Sequence, residues 1–542
     1  MTLQKVCSTR FKFELFFDPS SRYRQGVPVI LRLLIFLHRW VGVALCLLFL
    51  LWFPSGIGMM YWTFPAVSNS DRLDHSPKLN PATIMLSPTE AAGKVGMQEI
   101  SPDEIRLNTF DGRPVYRLGG GSGGSHIVYA DTGEEQTEVS SEMRHRIAAA
   151  WTGQPTDQAS LESVEEVDQW TVSGRLRNLR PLYKYSWPDG QQVYIAGHSG
   201  EVVQYTTFGT RLAAHVSAIP HWIYYTPLRK NQRAWVRFVV WTSGIGTISA
   251  IIGIVIGAWM YSPKRKYRLA GKPTGIPYRG QKRWHTILGL IFGIATVTWT
   301  FSGMLSMDPF PSLQSPPPAQ SAGDDSDTDS RPSVADGLRG RVAMADFESV
   351  HPRDLLAKVP SLDVRELEYT SFAGRPVLAA NLKGGKTQMI ELDGTLIPEF
   401  DHQQITGIVK ASASNPQVVE TAVIDQYDFY YLDRTREAPL PVIRALMNDA
   451  DKTRYYIDPK TAQIVMVYSE RDWFNRWFYN GLHSLNFPWL YNYRPLWDIV
   501  VIAFMLGGTA LCVTSLVLAW RVLGRTLKRS ASGPNDVLTA AE

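Results

Sequence analysis

Four stretches of the chain stay apolar long enough to cross a membrane, and two long stretches between them do not. The apolar runs cover residues 38–61, 236–261, 284–306 and 497–520. A hydrocarbon core of about 30 Å takes ~20 helical residues, so each run predicts one transmembrane helix. Trp and Tyr gather at their ends, where interfacial anchors belong. In the polar stretches, short alternating runs are closed by Gly, Asp or Pro, a period-two signal for β-hairpins. "RPVYRLGGGSGGSHIVYADTGE" from Arg113, "RPLYKYSWPDGQQVYIAGHSGE" from Arg180, "RPVLAANLKGGKTQMIELDGT" from Arg375 and "LPVIRALMNDADKTRYYIDPKTA" from Leu440 each read as strand, turn, strand. "SPTEAAGKV" predicts a short helix capped by Ser87 ahead of the first copy.

Charge orients this plan. Arg10, Lys12, Arg22, Arg24 and Arg32 precede the first run, and Arg521, Arg525, Lys528 and Arg529 follow the fourth. The loop between the second and third runs carries Lys264, Arg265, Lys266, Arg268, Lys272, Arg279, Lys282 and Arg283 and no acid. By the positive-inside rule these segments are cytoplasmic and both long polar loops lie outside. The first run is too long for a signal-peptide core and lacks a small-residue cleavage site after it, so it reads as retained. The expected order is a cytoplasmic tail (1–37), a first membrane helix (38–61), a periplasmic domain (62–235) and a second membrane helix (236–261). A basic cytoplasmic loop (262–283), a third membrane helix (284–306), a disordered linker (307–340), a second periplasmic domain (341–496), a fourth membrane helix (497–520) and a cytoplasmic tail (521–542) complete it. The linker is rich in Pro, Ser and Asp and cannot build a core. "GGGSGGS" at 119–125 reads as a flexible hairpin tip.

The net charge is only +5 over 542 residues, so no nucleic-acid partner is implied. Cys7, Cys46 and Cys512 give neither a disulfide framework nor a CxxC metal site, and no CxxCH is present. Any haem would be bound non-covalently. Walker, HExxH and strand-borne GxGxxG motifs are absent, so no nucleotide or protease site is evident.

The membrane runs repeat. His38 is followed by Gly42 and by Ser55-Gly56, while His285 is followed at the same spacings by Gly289 and Ser302-Gly303. "HWIYYTPLRKNQRAW" from His221 and "HSLNFPWLYNYRPLW" from His483 introduce the second and fourth runs and align without a gap. The chain therefore reads as a membrane protein of four transmembrane α-helices in two pseudo-repeats, with periplasmic α+β modules. The hairpin units resemble the PepSY domain. Set between helices carrying "LHRWVG", "RWHTILG" and "LHSLNFPWLY", they resemble the PepSY-associated transmembrane helix family, which includes iron-regulated inner-membrane proteins and haem-containing siderophore reductases. The resemblance implies a bacterial inner-membrane protein that delivers electrons to a periplasmic ferric siderophore.

An ionisable side chain at a membrane boundary is a site hypothesis by default. His38 and His285 occupy equivalent inner positions, and His221 and His483 equivalent outer ones. A single histidine there reads as an interfacial side chain with its polar tip in water; two symmetric pairs favour ligands. Two imidazoles per iron suit haem b, a flat apolar group that fits a four-helix bundle. The spacing from His38 to Ser55 spans about 25 Å of helix, so one pair cannot serve both faces and two haems are expected. Gly42 and Gly289 would leave room for the rings. Trp40, Trp284, Phe53 and Trp299 are candidate lining residues, and Arg39 and Arg283 candidate propionate partners. The outer pair has a second alignment, "HVSAIP" from His215 against "HSLNFP" from His483, so His215 stands beside His221 as a candidate ligand or propionate partner. No side chain is assigned a catalytic role. His75, His126, His145, His198, His351 and His402 lie in polar segments and read as solvated or structural. A different class of function also fits: a non-enzymatic membrane protein whose PepSY modules hold a peptide or inhibit a protease.

Overall fold

The computed structural model describes residues 28–531 except 98, 120–125, 165–166, 310–332, 413–417, 434–435 and 474. The expected N-terminal tail up to residue 27, the glycine-rich tip at 120–125, most of the linker and the tail beyond 531 lie outside the described residues.

The expected spans form helices Val29–Met59, Gln232–Met260, Gly280–Leu305 and Leu496–Ala531, each long and apolar enough to cross a membrane. The second and third helices start four residues ahead of expectation, and two boundaries differ more. The first helix starts at Val29 rather than at residue 38, because the residues ahead of His38, apolar except Arg32, continue the same helix. His38 therefore sits well inside a helix and not at its mouth, while His285 stays in the second turn of its own. The fourth helix runs past residue 520 through Arg521 and Arg525, which are good helix formers.

The described residues divide into two compact units. The first comprises 28–49, 244–297 and 507–531. Its helices approach through glycine: a Cβ at Gly246 would collide with Phe49, and one at Gly507 with Phe292. The basic loop in this unit is not structureless. Tyr267–Leu269 pairs with Lys272–Thr274 in a small hairpin whose turn uses Gly271 at φ 78°.

The second unit comprises 50–243 and 298–506. Each of the four hairpin motifs is present, but they are not four separate modules. The first and third merge into one seven-stranded sheet, in the order Leu396–Ile397, Thr387–Glu391, Arg375–Leu382, Val364–Phe372, Ile105–Phe110, Arg113–Leu118, His126–Tyr129. The join is antiparallel, with Arg106 opposite Glu368 and Leu107 opposite Leu367. Leu107, Tyr116 and Leu118 share a core with Leu367, Leu378 and Ile390. Val115 packs on the other face with Phe110 and Ile127, so the strand is buried on both sides and its apolar run is nearly continuous. The second and fourth motifs sit in separate four-stranded antiparallel sheets. Ser87 caps helix Pro88–Lys94 as expected, accepting from Glu90 N while the Glu90 carboxylate accepts from Ser87 N at 2.7 Å. Ser333 caps helix Val334–Arg339 in the same way, with Leu338 buried beneath it, so the folded domain starts ahead of residue 341.

Near the sheet join, Glu366 is fully buried. Arg72 reaches it with two hydrogen bonds of 2.8 and 2.7 Å, and Asn108 Nδ2 donates at 2.8 Å. Burial alone would raise this carboxyl; the Arg72 guanidinium and Asn108 outweigh burial and hold it below the usual range.

Candidate cofactor site: two histidine pairs

Within the first unit, His38 of the first membrane helix and His285 of the third come together, ring centres 6.1 Å apart. His38 Nδ1 lies 2.9 Å from the Ser249 carbonyl oxygen. A carbonyl only accepts, so Nδ1 carries the hydrogen and Nε2 keeps its lone pair. His285 Nδ1 faces Thr514 Oγ1 at 3.2 Å and Ser515 Oγ at 3.3 Å. Both hydroxyls donate their single hydrogen to the Leu511 carbonyl, at 2.7 and 3.0 Å, so they too accept from the ring. Gly253 is required beside His38, since a Cβ there would fall 2.6 Å from His38 Cε1. A Cβ on Gly42 would meet nothing within 4 Å, and one on Gly289 would meet only Leu511 at 3.8 Å. Open space thus remains one turn beyond His38, while Leu511 borders the matching position beyond His285.

Within the second unit, the rings of His221 and His483 lie 5.9 Å apart. Neither belongs to a membrane helix: His221 is on Ala218–Trp222 and His483 on Leu482–Ser484, after a π-helical segment Asn475–Gly481. Both segments end in a left-handed residue two positions after the histidine, Ile223 at φ 55° and Leu485 at φ 50°. Both are held by the tryptophan that opens the next membrane helix. Trp235 Nε1 donates to the Trp222 carbonyl at 2.8 Å, and Trp497 Nε1 to that of Ser484 at 3.1 Å. The Nδ1 partners also match. Ser55 Oγ lies 3.2 Å from His221 Nδ1 and donates to the Trp52 carbonyl. Ser302 Oγ lies 3.0 Å from His483 Nδ1 and donates to the Trp299 carbonyl. None of the four Nε2 atoms makes a hydrogen bond among the described residues. Burial drives His221 down to about 4 and His483 to about 3, the latter helped by the neighbouring imidazole, so both rings are neutral at pH 7.

The outer pair opens on a mainly apolar cavity of about 80 Å³. Trp52, Phe53, Trp222, Trp299 and Tyr479 line it. The lining roles expected for Phe53 and Trp299 thus fall at the outer pair, where their rings meet edge-on at 5.9 Å. Trp284 is 58% exposed, as an interfacial anchor would be. Arg39 Nε is buried with no hydrogen-bond partner among the described residues, whereas Arg283 donates to Thr274 Oγ1 at 2.9 Å.

His215 is placed elsewhere. Its Nδ1 bonds the Arg211 carbonyl one turn back at 2.7 Å, its ring packs edge-on against Trp170, and it does not line the cavity. Of the six remaining histidines, His75 stacks on Trp151 at 4.0 Å, His126 pairs with Glu135, His145 packs against Tyr185, His351 caps a helix and His402 lies near Glu399.

The family model for the PepSY-associated TM region matches residues 35–389, about two thirds of the chain. The chain belongs to this family. No curated protein matches it. In this PepSY-associated membrane protein His38, His215, His221 and His285 lie inside the matched segment, whereas His483 and the fourth membrane helix lie beyond it.

Chemically, each pair presents two imidazole lone pairs and little else. A metal–nitrogen bond of about 2 Å, plus about 1.1 Å from nitrogen to ring centre, puts two imidazoles on opposite sides of one metal about 6 Å apart. Both pairs meet that spacing. Among the described residues no group of three or more His, Cys, Asp or Glu side chains is placed to hold a metal ion. A bare tetrahedral ion would therefore lack ligands, and a metal arriving in a planar ring with its own four nitrogens would not.

The Nδ1 partners Ser249, Thr514 and Ser515 were not singled out in the sequence reading. Their signal was present: hydroxyls inside apolar runs, where a polar side chain needs a partner on a neighbouring helix.

Proposed function

We propose that this chain is a di-haem b electron-transfer protein of the bacterial inner membrane that reduces an acceptor in the periplasm, a ferric siderophore on the family resemblance. The observation that carries this reading is the pair of imidazole separations, 6.1 and 5.9 Å, each with both Nδ1 hydrogens engaged and both Nε2 lone pairs available. His38 and His285 would hold one haem and His221 and His483 the other. Haem b, when bound, supplies a one-electron iron couple. The chain's own residues engage the Nδ1 side of all four imidazoles and wall the outer cavity with aromatic side chains. Reduction of a ferric siderophore weakens its hard-oxygen chelation and releases iron. The donor would be a quinol or a redox protein.

In this reading both large loops and the sheets they form are periplasmic, and both termini cytoplasmic. Reporter fusions after Gly200 and after Gly394 are expected to read external in both cases. The two membrane-helix pairs with their matched histidine seats are read as pseudo-repeats.

The peptide-holding alternative draws on a second, more polar cleft of the outer unit, with about 760 Å³ of open space, bordered by Arg72, Asn108, Arg117, Trp151 and Glu201. A reduced-minus-oxidised visible spectrum and a haem assay on the purified full chain separate the two. Two b-type haems per chain are expected; a colourless protein would sink the electron-transfer reading and favour the peptide one. Activity is then tested in proteoliposomes with the donor inside and a ferric siderophore outside.

A further inference from the structure

The Ser-Gly pairs at 55–56 and 302–303 recur at one spacing from the inner histidines, yet they do not touch them. Each serine is instead buried against an outer histidine, Ser55 2% and Ser302 0% exposed, where water does not compete for its hydroxyl. We propose that Ser55 and Ser302 are positioning residues: their hydroxyls hold His221 and His483 in the one tautomer whose Nε2 can bind a metal. The metal-binding part rests on the reading above; the tautomer itself does not.

The argument is a count of hydrogens. A serine hydroxyl has one to give. Ser302 gives it to the Trp299 carbonyl at 3.3 Å, and Ser55 gives it to the Trp52 carbonyl at 3.0 Å. Each oxygen is then only an acceptor toward the ring nitrogen beside it, at 3.0 Å for His483 and 3.2 Å for His221. An Nε2–H ring would set two lone pairs against each other at Nδ1. The following glycine lies beside the same ring: a Cβ on Gly56 would lie 3.5 Å from His221 Cε1 and one on Gly303 3.8 Å from His483 Cε1, both ordinary contacts. It is the serine that fixes which nitrogen is protonated.

Each seat has a backbone carbonyl behind its serine: that of Trp52 lies 3.3 Å from His221 Nδ1, and the Trp299 backbone bonds the His483 ring. In both seats the serine oxygen is a hydrogen-bond partner of the ring nitrogen, so Ser302→Ala and Ser55→Ala should act alike, each at its own histidine.

The first test needs no cofactor. In the full chain carrying ¹⁵N-histidine and purified without haem, His483 is assigned by difference against His483→Ala. Its Nδ1 should show the protonated, pyrrole-type shift and Nε2 the bare, pyridine-type shift, and Ser302→Ala should mix the two forms. A pyrrole-type Nε2 in the unaltered chain, or no change in Ser302→Ala, overturns the proposal whatever the protein binds. The second test is spectroelectrochemical titration of the haem-loaded chain. Losing the acceptor makes the axial imidazole a weaker donor to Fe(III), so one midpoint potential should rise. A shift of about tenfold in the Fe(II)/Fe(III) ratio corresponds to ~59 mV for one electron. Ser302→Thr, which keeps the hydroxyl, should restore it, and Ser55→Ala should shift the potential in the same direction. Full haem content with an unmoved potential in Ser302→Ala overturns the positioning role. A chain that binds no haem sinks the electron-transfer reading, while the nitrogen shifts still decide the tautomer.

Discussion

In the first unit both histidines stand on long membrane helices, and their ring hydrogens go to a backbone carbonyl and two hydroxyls of neighbouring helices. In the second unit neither histidine is on a membrane helix, and each is held by a serine, a left-handed turn and a tryptophan indole. The ring separations still agree within a few tenths of an ångström. The difference teaches what each placement depends on. The inner pair needs helices packed closely, so that Gly253 cannot carry a side chain without striking His38. The outer pair depends on irregular connecting backbone, which stays in place only while its caps and side-chain bonds are intact.

The largest test of that comparison removes one ligand at a time. His285→Ala should lose one of two haems and keep the other, and His483→Ala should do the converse, read by haem assay. If either variant lost both, the pairs would not be independent sites. In proteoliposomes His483→Ala should abolish reduction of an external ferric siderophore.

A second test loads the outer unit alone. Glu366→Ala leaves Arg72 without its partner. Breaking a buried pair costs about 3–5 kcal/mol, with the lower end expected because Arg72 is a quarter exposed. Chemical denaturation followed by the tyrosine and tryptophan signal should show the loss, while the inner haem spectrum stays unchanged. The sign with pH follows from the depressed carboxyl: Glu366 contributes fully above its unfolded value of about 4.3, and the contribution disappears as pH falls through the lower folded value. A Glu366→Gln chain should therefore lose less stability on acidification than the natural one.

Smaller effects should follow at the clamps. Trp497→Phe removes the indole bond to the Ser484 carbonyl and should cost about 1 kcal/mol, together with a broadened outer haem spectrum and an unaltered inner one. The smallest effect is expected at His215, whose contacts are the Arg211 carbonyl and Trp170. His215→Ala should keep both haems and weaken reductase activity only slightly. A dead His215→Ala beside an active His221→Ala would reverse the assignment of the outer pair.

Much of this molecule could be read from residue order, because the signals are local. Four long apolar runs each specify a helix in a solvent that cannot satisfy bare backbone groups. The fixed interval from His38 to Ser55 and from His285 to Ser302 marked matching helices, and the motifs after Arg113, Arg180, Arg375 and Leu440 marked hairpins. What order alone left open was non-local. His215 and His221 both had an arguable partner in His483; only folding, which turns His215 toward Trp170, separated them. The first and third hairpins looked like independent modules until Arg106 and Leu107 paired with Glu368 and Leu367, more than 250 residues away. The tautomers, too, waited on structure: a ring nitrogen keeps its hydrogen where packing brings an acceptor within about 3 Å, and Ser249, Ser55 and Ser302 become such acceptors only once helices distant in sequence lie side by side.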